Sequence, residues 1–209
     1  MPLATQVKVA VVYYSASGTV RRLAEAMVDG AEKVGAEVRL LRAPETAPPE
    51  AIATRPDWQA NLAETDHLPP PTPDDLRWAD AIAIGCPTRF GNLATPISAF
   101  LEKAGGLWFG DELVDKCVGG FTSASTVHGG HESTLLALTH TFHHWAAIIV
   151  PPGYAGETLR GAGNPYGVSA YARYGQVAPR DDELDAARAY GARLATAAGH
   201  FVAGRQAAA

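Results

Sequence analysis

Val7-Lys8-Val9-Ala10-Val11-Val12-Tyr13-Tyr14-Ser15-Ala16-Ser17-Gly18-Thr19 (VKVAVVYYSASGT) is the stretch from which the fold is read. Its first eight residues are a short β-branched and aromatic run with a single charge, Lys8. Such continuous hydrophobicity suits a strand covered on both faces, as in a parallel sheet. The Ser/Gly turn that follows leads into Val20, Leu23, Ala24, Met27, Val28 and Ala31 at helical spacing, with Arg21, Arg22, Glu25 and Asp29 between them. Gly35 ends that helix and residues 36–41 read as a second strand. The unit is βαβ, and its crossover is expected to be right-handed.

Working outward, residues 80–86 (DAIAIGC) read as a third buried strand, 116–122 as a fourth and 147–150 as a fifth. Ile97, Phe100, Leu101 and Ala104 mark one helix between them; Leu135, Leu136, Leu138, Phe142 and Trp145 mark another. Residues 44–73 are rich in Pro, Thr and Ala and read as a long connection with at most one helical turn. Residues 151–179, rich in Gly, Tyr and Pro, read as irregular. Asp181, Asp182 and Glu183 open a last amphipathic helix over 181–202. With no repeat and no boundary, the expectation is one α/β domain over residues 1–209. Its five strands form a doubly wound parallel sheet of order 2-1-3-4-5, with helices on both faces.

Hydrophobic residues at 47% and charged residues at 19% describe an ordinary folded chain. A formal net charge of -5 supplies no electrostatic reason for a nucleic-acid or anionic-membrane partner. Cys86 and Cys117 are far apart and make no CxxC, which argues against a disulfide scaffold, a zinc site or a thioredoxin-type centre. The Met1-Pro2-Leu3-Ala4-Thr5-Gln6 start lacks a basic segment and an apolar core, and no run approaches the roughly 18 apolar residues of a membrane span. The expectation is a soluble cytoplasmic protein.

In a doubly wound sheet, ligands bind beyond the carboxyl ends of the strands where strand order reverses. Three loops meet that description. The first, Ser15, Ala16, Ser17, Gly18, Thr19 and Val20, offers three hydroxyls and the free amides of a helix start, which suit a phosphate monoester. It lacks the GxxxxGK[ST] pattern of a triphosphatase, so a terminal phosphate such as that of FMN fits better. Taken alone, it is also what a plain capped turn looks like. The second, Pro87, Thr88, Arg89, Phe90, Gly91 and Asn92, joins a guanidinium and an aromatic ring to backbone amides. Arg89 suits the flavin edge where negative charge develops on reduction, and Phe90 suits packing beside the ring. As alternatives, Arg89 is a surface charge and Phe90 core filler. The third runs Ser123, Ala124, Ser125, Thr126, Val127, His128, Gly129, Gly130.

Thr88-Arg89-Phe90-Gly91-Asn92, Gly105-Gly106-Leu107-Trp108 and His128-Gly129-Gly130 with Glu132 and Thr134 together resemble the WrbA family of flavodoxin-like, FMN-dependent NAD(P)H:quinone oxidoreductases. The likeness extends to Tyr13-Tyr14-Ser15, Pro44-Glu45-Thr46, and Ile149-Val150-Pro151 with Gly153-Tyr154, in the same order over nearly the whole chain. It implies a flavodoxin-like fold, FMN as cofactor, NADH or NADPH as donor, two-electron quinone reduction and a homotetramer. By position, Ser15 to Val20 would bind the FMN phosphate, Pro87 to Asn92 would surround the ring, and Ser123 to Gly129 would lie on its other edge. Trp108 would help roof the flavin pocket of a neighbouring subunit, and Trp108 and Phe90 would face substrate; without the resemblance, Trp108 reads as core.

Two departures accompany the likeness. Ser17 and Thr19 stand where the family often has an aromatic residue and a histidine. The family's His-His-Gly run is replaced by His143-His144-Trp145-Ala146, so either His144 supplies a catalytic proton or Trp145 stands there as a packing wall. His140, His143 and His144 at i, i+3, i+4 are also conceivable zinc ligands, but no carboxylate or cysteine pattern supports them and no metal is expected. Buried packing, not thiol chemistry, is the expectation for Cys86. The leading function is ping-pong quinone reduction by hydride transfer. The alternatives are a flavodoxin-like electron carrier or a regulatory FMN-binding protein.

Overall fold

The computed structural model describes residue 3 and residues 5–208. The leader reading at Met1, Pro2 and Ala4, and the domain limits at Met1 and Ala209, fall outside the described residues. The chain runs β1 (Lys8–Tyr13), α1 (Thr19–Lys33), β2 (Glu37–Arg42), α2 (Pro49–Ala53), α3 (Pro56–Glu64), α4 (Pro73–Trp78) and β3 (Ala81–Pro87). It continues through α5 (Thr95–Glu102), α6 (Gly105–Phe109), β4 (Cys117–Ala124), α7 (His131–His144), β5 (Ile148–Ile149), α8 (Gly156–Ala162), β6 (Val168–Tyr171) and α9 (Asp181–Ala208).

The sheet order is β2-β1-β3-β4-β5, as the sequence leads one to expect, and its pairings are parallel. The alternation of side chains along a strand explains why both faces are apolar. Val9, Val11 and Tyr13 of β1 join Leu23 and Met27 of α1 and Tyr190 and Leu194 of α9 on one face. Ala10, Val12 and Tyr14 point the other way, into a cluster with Ile82 and Ile84 of β3, Ile97 and Phe100 of α5, and Phe142 of α7.

The fifth strand position departs from expectation. Only Ile148 and Ile149 pair with Cys117 and Val118 there. Farther along, β6 takes over, pairing with Phe121 to Ala124. Because β3 occupies the other edge of β4 over residues 117–123, β6 continues the edge that β5 begins. One strand position is therefore filled by two short strands, with α8 in the excursion between them. The segment expected to be irregular contains β6, and the long connection over 44–73 contains α2 and α3. Pro49 and Pro56 begin these two helices at the position where the missing N–H costs nothing. The last helix also runs past residue 202, to Ala208.

Candidate active site

The carboxyl ends of β1, β3 and β4 open into one cleft with a cavity of about 150 Å³. Ser15, Ala16, Ser17, Thr19 and Val20 line it from the first loop, Pro87, Thr88 and Arg89 from the second, and Ser123, Ala124 and Ser125 from the third. Gly18 turns away into an adjoining cavity behind the loop. Phe90, Gly91, Asn92, Thr126, Val127, His128 and Gly129 are not in its lining. They form the outer parts of the second and third loops, where Asn92 and His128 are exposed.

The donor set of the first loop suits a phosphate. Gly18, at φ 89, precedes the first residue of α1. Its amide donates to Ser15 Oγ at 3.1 Å. Among the described residues, the amides of Ala16, Ser17, Thr19, Val20 and Arg21 find no acceptor in the protein. The first turn of α1 carries no acidic residue, although such a residue is favourable at a helix start. Unspent amides, the hydroxyls of Ser17 and Thr19 and the positive end of a helix are what a phosphate monoester requires.

Hydrogen bonds hold the second loop in a tight turn. Arg89 and Asn92 exchange backbone bonds at 2.9 and 3.0 Å, and Thr88 N–H donates to the Ser123 carbonyl at 2.9 Å. Thr134 Oγ1 donates to Thr88 Oγ1 at 2.7 Å, and Thr88 Oγ1 accepts from Gly91 N–H at 3.1 Å. The turn places Phe90 at φ 53 with its ring fully exposed, so the ring is not core filler. The third loop is tied down at its end, where buried His131 Nε2 meets the Ala170 carbonyl of β6 at 3.2 Å.

Five lining residues come from segments that sequence reasoning left blank: Arg55, Trp58, Ala172, Tyr174 and Gly175. Trp58 Nε1 donates to Glu45 Oε2 at 2.8 Å, and Tyr14 OH donates to the same oxygen at 3.0 Å. Burial first, and the Glu45 charge second, raise the Tyr14 phenol above its ordinary range. Asn61, buried in α3, is a further missed residue that reaches the first loop. The only sequence trace of this wall was the Pro44-Glu45-Thr46 run within the family likeness.

His144 and Trp108 do not line this cleft. They sit together in a separate open groove with Leu101, Glu102, Gly105 and Trp145. Trp108 is half exposed, not core. His144 is exposed, whereas Trp145 is 5% exposed and packs its ring 5.9 Å from that of Phe142. Trp145 is thus packed into the protein, while the imidazole of His144 is accessible. Cys86 is buried, its thiol pushed up to about 11 by desolvation, with Sγ accepting from Ala94 N–H at 3.4 Å. Among the described residues, no three His, Cys, Asp or Glu side chains gather to hold a metal. No described helix is long and apolar enough to cross a membrane.

A family profile described as NADPH-dependent FMN reductase matches residues 7–158. The chain belongs to this family. Its flavin is FMN and its electron donor a reduced nicotinamide nucleotide, and the chain is an oxidoreductase of flavodoxin-like fold. Among relatives of this FMN reductase family member, an NAD(P)H dehydrogenase (quinone) of Deinococcus radiodurans is 43% identical over 167 residues, 79% of this chain and 84% of the relative. One of Rhizobium rhizogenes is 41% identical over 204 residues, 94% of this chain and 99% of the relative. The solved flavodoxin, WrbA-like protein from Agrobacterium tumefaciens is similar with a TM-score of 0.63 and 26% identity, over 92% of this chain and 97% of that one. The WrbA likeness drawn from the Thr88 to Asn92 and Gly105 to Trp108 runs agrees with these matches.

Proposed function

We propose that this protein is an FMN-dependent NAD(P)H:quinone oxidoreductase that works by ping-pong, two-electron hydride transfer. One observation carries the proposal. The free-donor loop and the Arg89–Phe90 loop share one cleft, in a chain that aligns almost end to end with an NAD(P)H dehydrogenase (quinone).

When bound, FMN supplies the two-electron chemistry, in which hydride is received from the nicotinamide and passed on to the quinone. The protein's part is to bind and orient. Ser15, Ala16, Ser17, Thr19 and Val20 would hold the phosphate, with Gly18 shaping the turn that presents them. Arg89 supplies positive charge at the ring end. Phe90 and Trp108 offer aromatic surface to flat substrates, in line with their exposure. Thr88, Gly91, Asn92 and the Ser123 to Gly129 loop frame the ring. His144, accessible beside Trp108, donates a proton to the reduced quinone.

Trp108 and His144 lie outside the phosphate cleft of their own chain; in keeping with the family likeness, they would serve a neighbouring subunit's pocket. The proposed assembly, as the family likeness implies, is a homotetramer of single domains over residues 1–209, working in the cytoplasm. The test is steady-state oxidation of NADH and NADPH by FMN-loaded protein with 1,4-benzoquinone as acceptor. Parallel double-reciprocal lines are expected. Intersecting lines would overturn the ping-pong order, and a failure to oxidise either nucleotide would leave the carrier reading in its place.

A further inference from the structure

The first loop contains no lysine or arginine, yet the group it fits carries two negative charges. Arg21, the cation that follows it in sequence, lines the adjoining cavity and not this cleft, with its Nη1 2.5 Å from Glu64 Oε2 and its Nε 3.5 Å from Glu25 Oε1. The cleft lining holds two cations, Arg55 and Arg89. Arg89 belongs to the second loop, with Nη1 donating to the Thr88 carbonyl at 3.0 Å. Arg55 remains.

Arg55 stands immediately before α3, and its guanidinium is held in place from two directions. Nε and Nη2 donate to the two oxygens of Asp57 at 2.9 and 2.6 Å, a bidentate fork. Nη2 also donates to the Tyr174 carbonyl at 3.1 Å. That carbonyl is set by a run of left-handed backbone, Arg173 at φ 41, Tyr174 at φ 58 and Gly175 at φ 81. Non-glycine residues are held this way only where the surroundings over-determine them.

Gly175 marks where the segments meet. A Cβ there would lie 2.9 Å from Ser17 Cβ and 2.9 Å from Asp57 Oδ2. The loop after β6, the start of α3 and the phosphate loop therefore converge on one point. Among the described residues, Arg55 Nη1 has no acceptor.

We propose that Arg55 is a phosphate-binding residue of the FMN site, fastened by Asp57 and the Tyr174 carbonyl so that Nη1 is left for a phosphate oxygen. The inference rests on FMN occupying this cleft. It adds a charged contact that the loop's own sequence lacks, supplied by a segment with no recognisable motif. Asp57 takes part of the guanidinium's field and in exchange fixes its direction. A fixed planar donor loses less freedom on meeting a phosphate than a free one.

Riboflavin, which is FMN without the phosphate, makes this testable by flavin fluorescence quenching on flavin-free protein. Arg55→Ala should raise the FMN dissociation constant about tenfold and change that for riboflavin less than about twofold, as expected for loss of one charge-assisted bond. Arg55→Lys should recover part of the loss, because the charge remains while the fork is gone. Raising salt should weaken FMN binding by wild type more steeply than by Arg55→Ala. An equal loss for both ligands would mean that Arg55 is only structural. Unchanged FMN affinity in Arg55→Ala, or full affinity in a folded Arg55→Gln, would also overturn the proposal. Wild-type protein that quenches neither flavin would overturn it together with the FMN reading beneath it.

Discussion

Asn61 donates its side-chain amide to the Ser15 carbonyl at 2.8 Å across 46 residues of sequence. Both residues are buried, so the bond fixes the start of the phosphate loop from outside the βαβ unit that encodes it. Asn61→Ala would leave the Ser15 carbonyl without that partner, at a cost of about 1–3 kcal/mol. Urea denaturation should show the loss, and FMN quenching should show weaker binding. Unaltered stability would mean that water replaces the amide.

Gly130 joins the third loop to α7 at φ 95, and a Cβ there would lie 2.8 Å from Gly91 Cα. Gly130→Ala combines a strained φ with a backbone clash, so the second and third loops must part. Destabilisation of about 1–3 kcal/mol is expected. FMN and riboflavin affinities should fall together, because the change falls outside the phosphate end of the cleft. A loss confined to FMN would contradict that placement.

Trp108 is half exposed in a groove apart from the phosphate cleft. Trp108→Ala should therefore lower kcat/KM for quinone by about tenfold, equivalent to roughly 1.4 kcal/mol, while FMN affinity stays within about twofold. Steady-state kinetics alongside flavin titration separates the two. Equal losses would show that Trp108 supports the cofactor and not the substrate.

Asp75 answers to pH. Burial works against its charge but is outweighed by hydrogen bonds from Thr72 and Arg39, which hold the carboxyl below its ordinary value. A folded pKa below the unfolded one contributes stability that is full above the unfolded value, near pH 4. That contribution is lost as pH falls through the folded value. Asp75→Asn should therefore be destabilised relative to wild type at pH 7, with the gap narrowing at pH 3 in urea melts. A constant gap would assign the effect to packing alone.

The parts of this fold legible in the sequence are those whose side chains are covered on both faces. β1, β3 and β4 read as continuous apolar runs because helices cover both sides of the sheet's centre. β6 escaped notice because VSAY is four residues long, lies among glycines and prolines, and pairs with β4 alone. α2 and α3 escaped because they turn few side chains inward: none of α2 is buried, and Asn61 alone of α3. A helix without an apolar stripe leaves no period to detect.

The same physics divides the site. Loops leaving the central strands announce themselves through Ser, Gly and Arg at strand ends. Arg55, Trp58 and Tyr174 lie far from those ends in sequence, and only tertiary closure brings them to the cleft. The Trp108 and His144 positions needed the family likeness. Composition alone placed Trp108 in the core, where the structure does not put it.

The meeting of Gly175 with Ser17 has a consequence for how the protein matures. Ser17 near the start of the chain, Asp57 some forty residues on and Gly175 just before the last helix must all arrive before the proposed phosphate end is complete. Contacts of such wide sequence separation close slowly, because loop-closure entropy is lost before they form. With FMN at the proposed site, cofactor capture would come late in folding, in chains where these segments have met. Flavin colour in a preparation would then report finished molecules, and free FMN during refolding would shift the balance toward them by mass action.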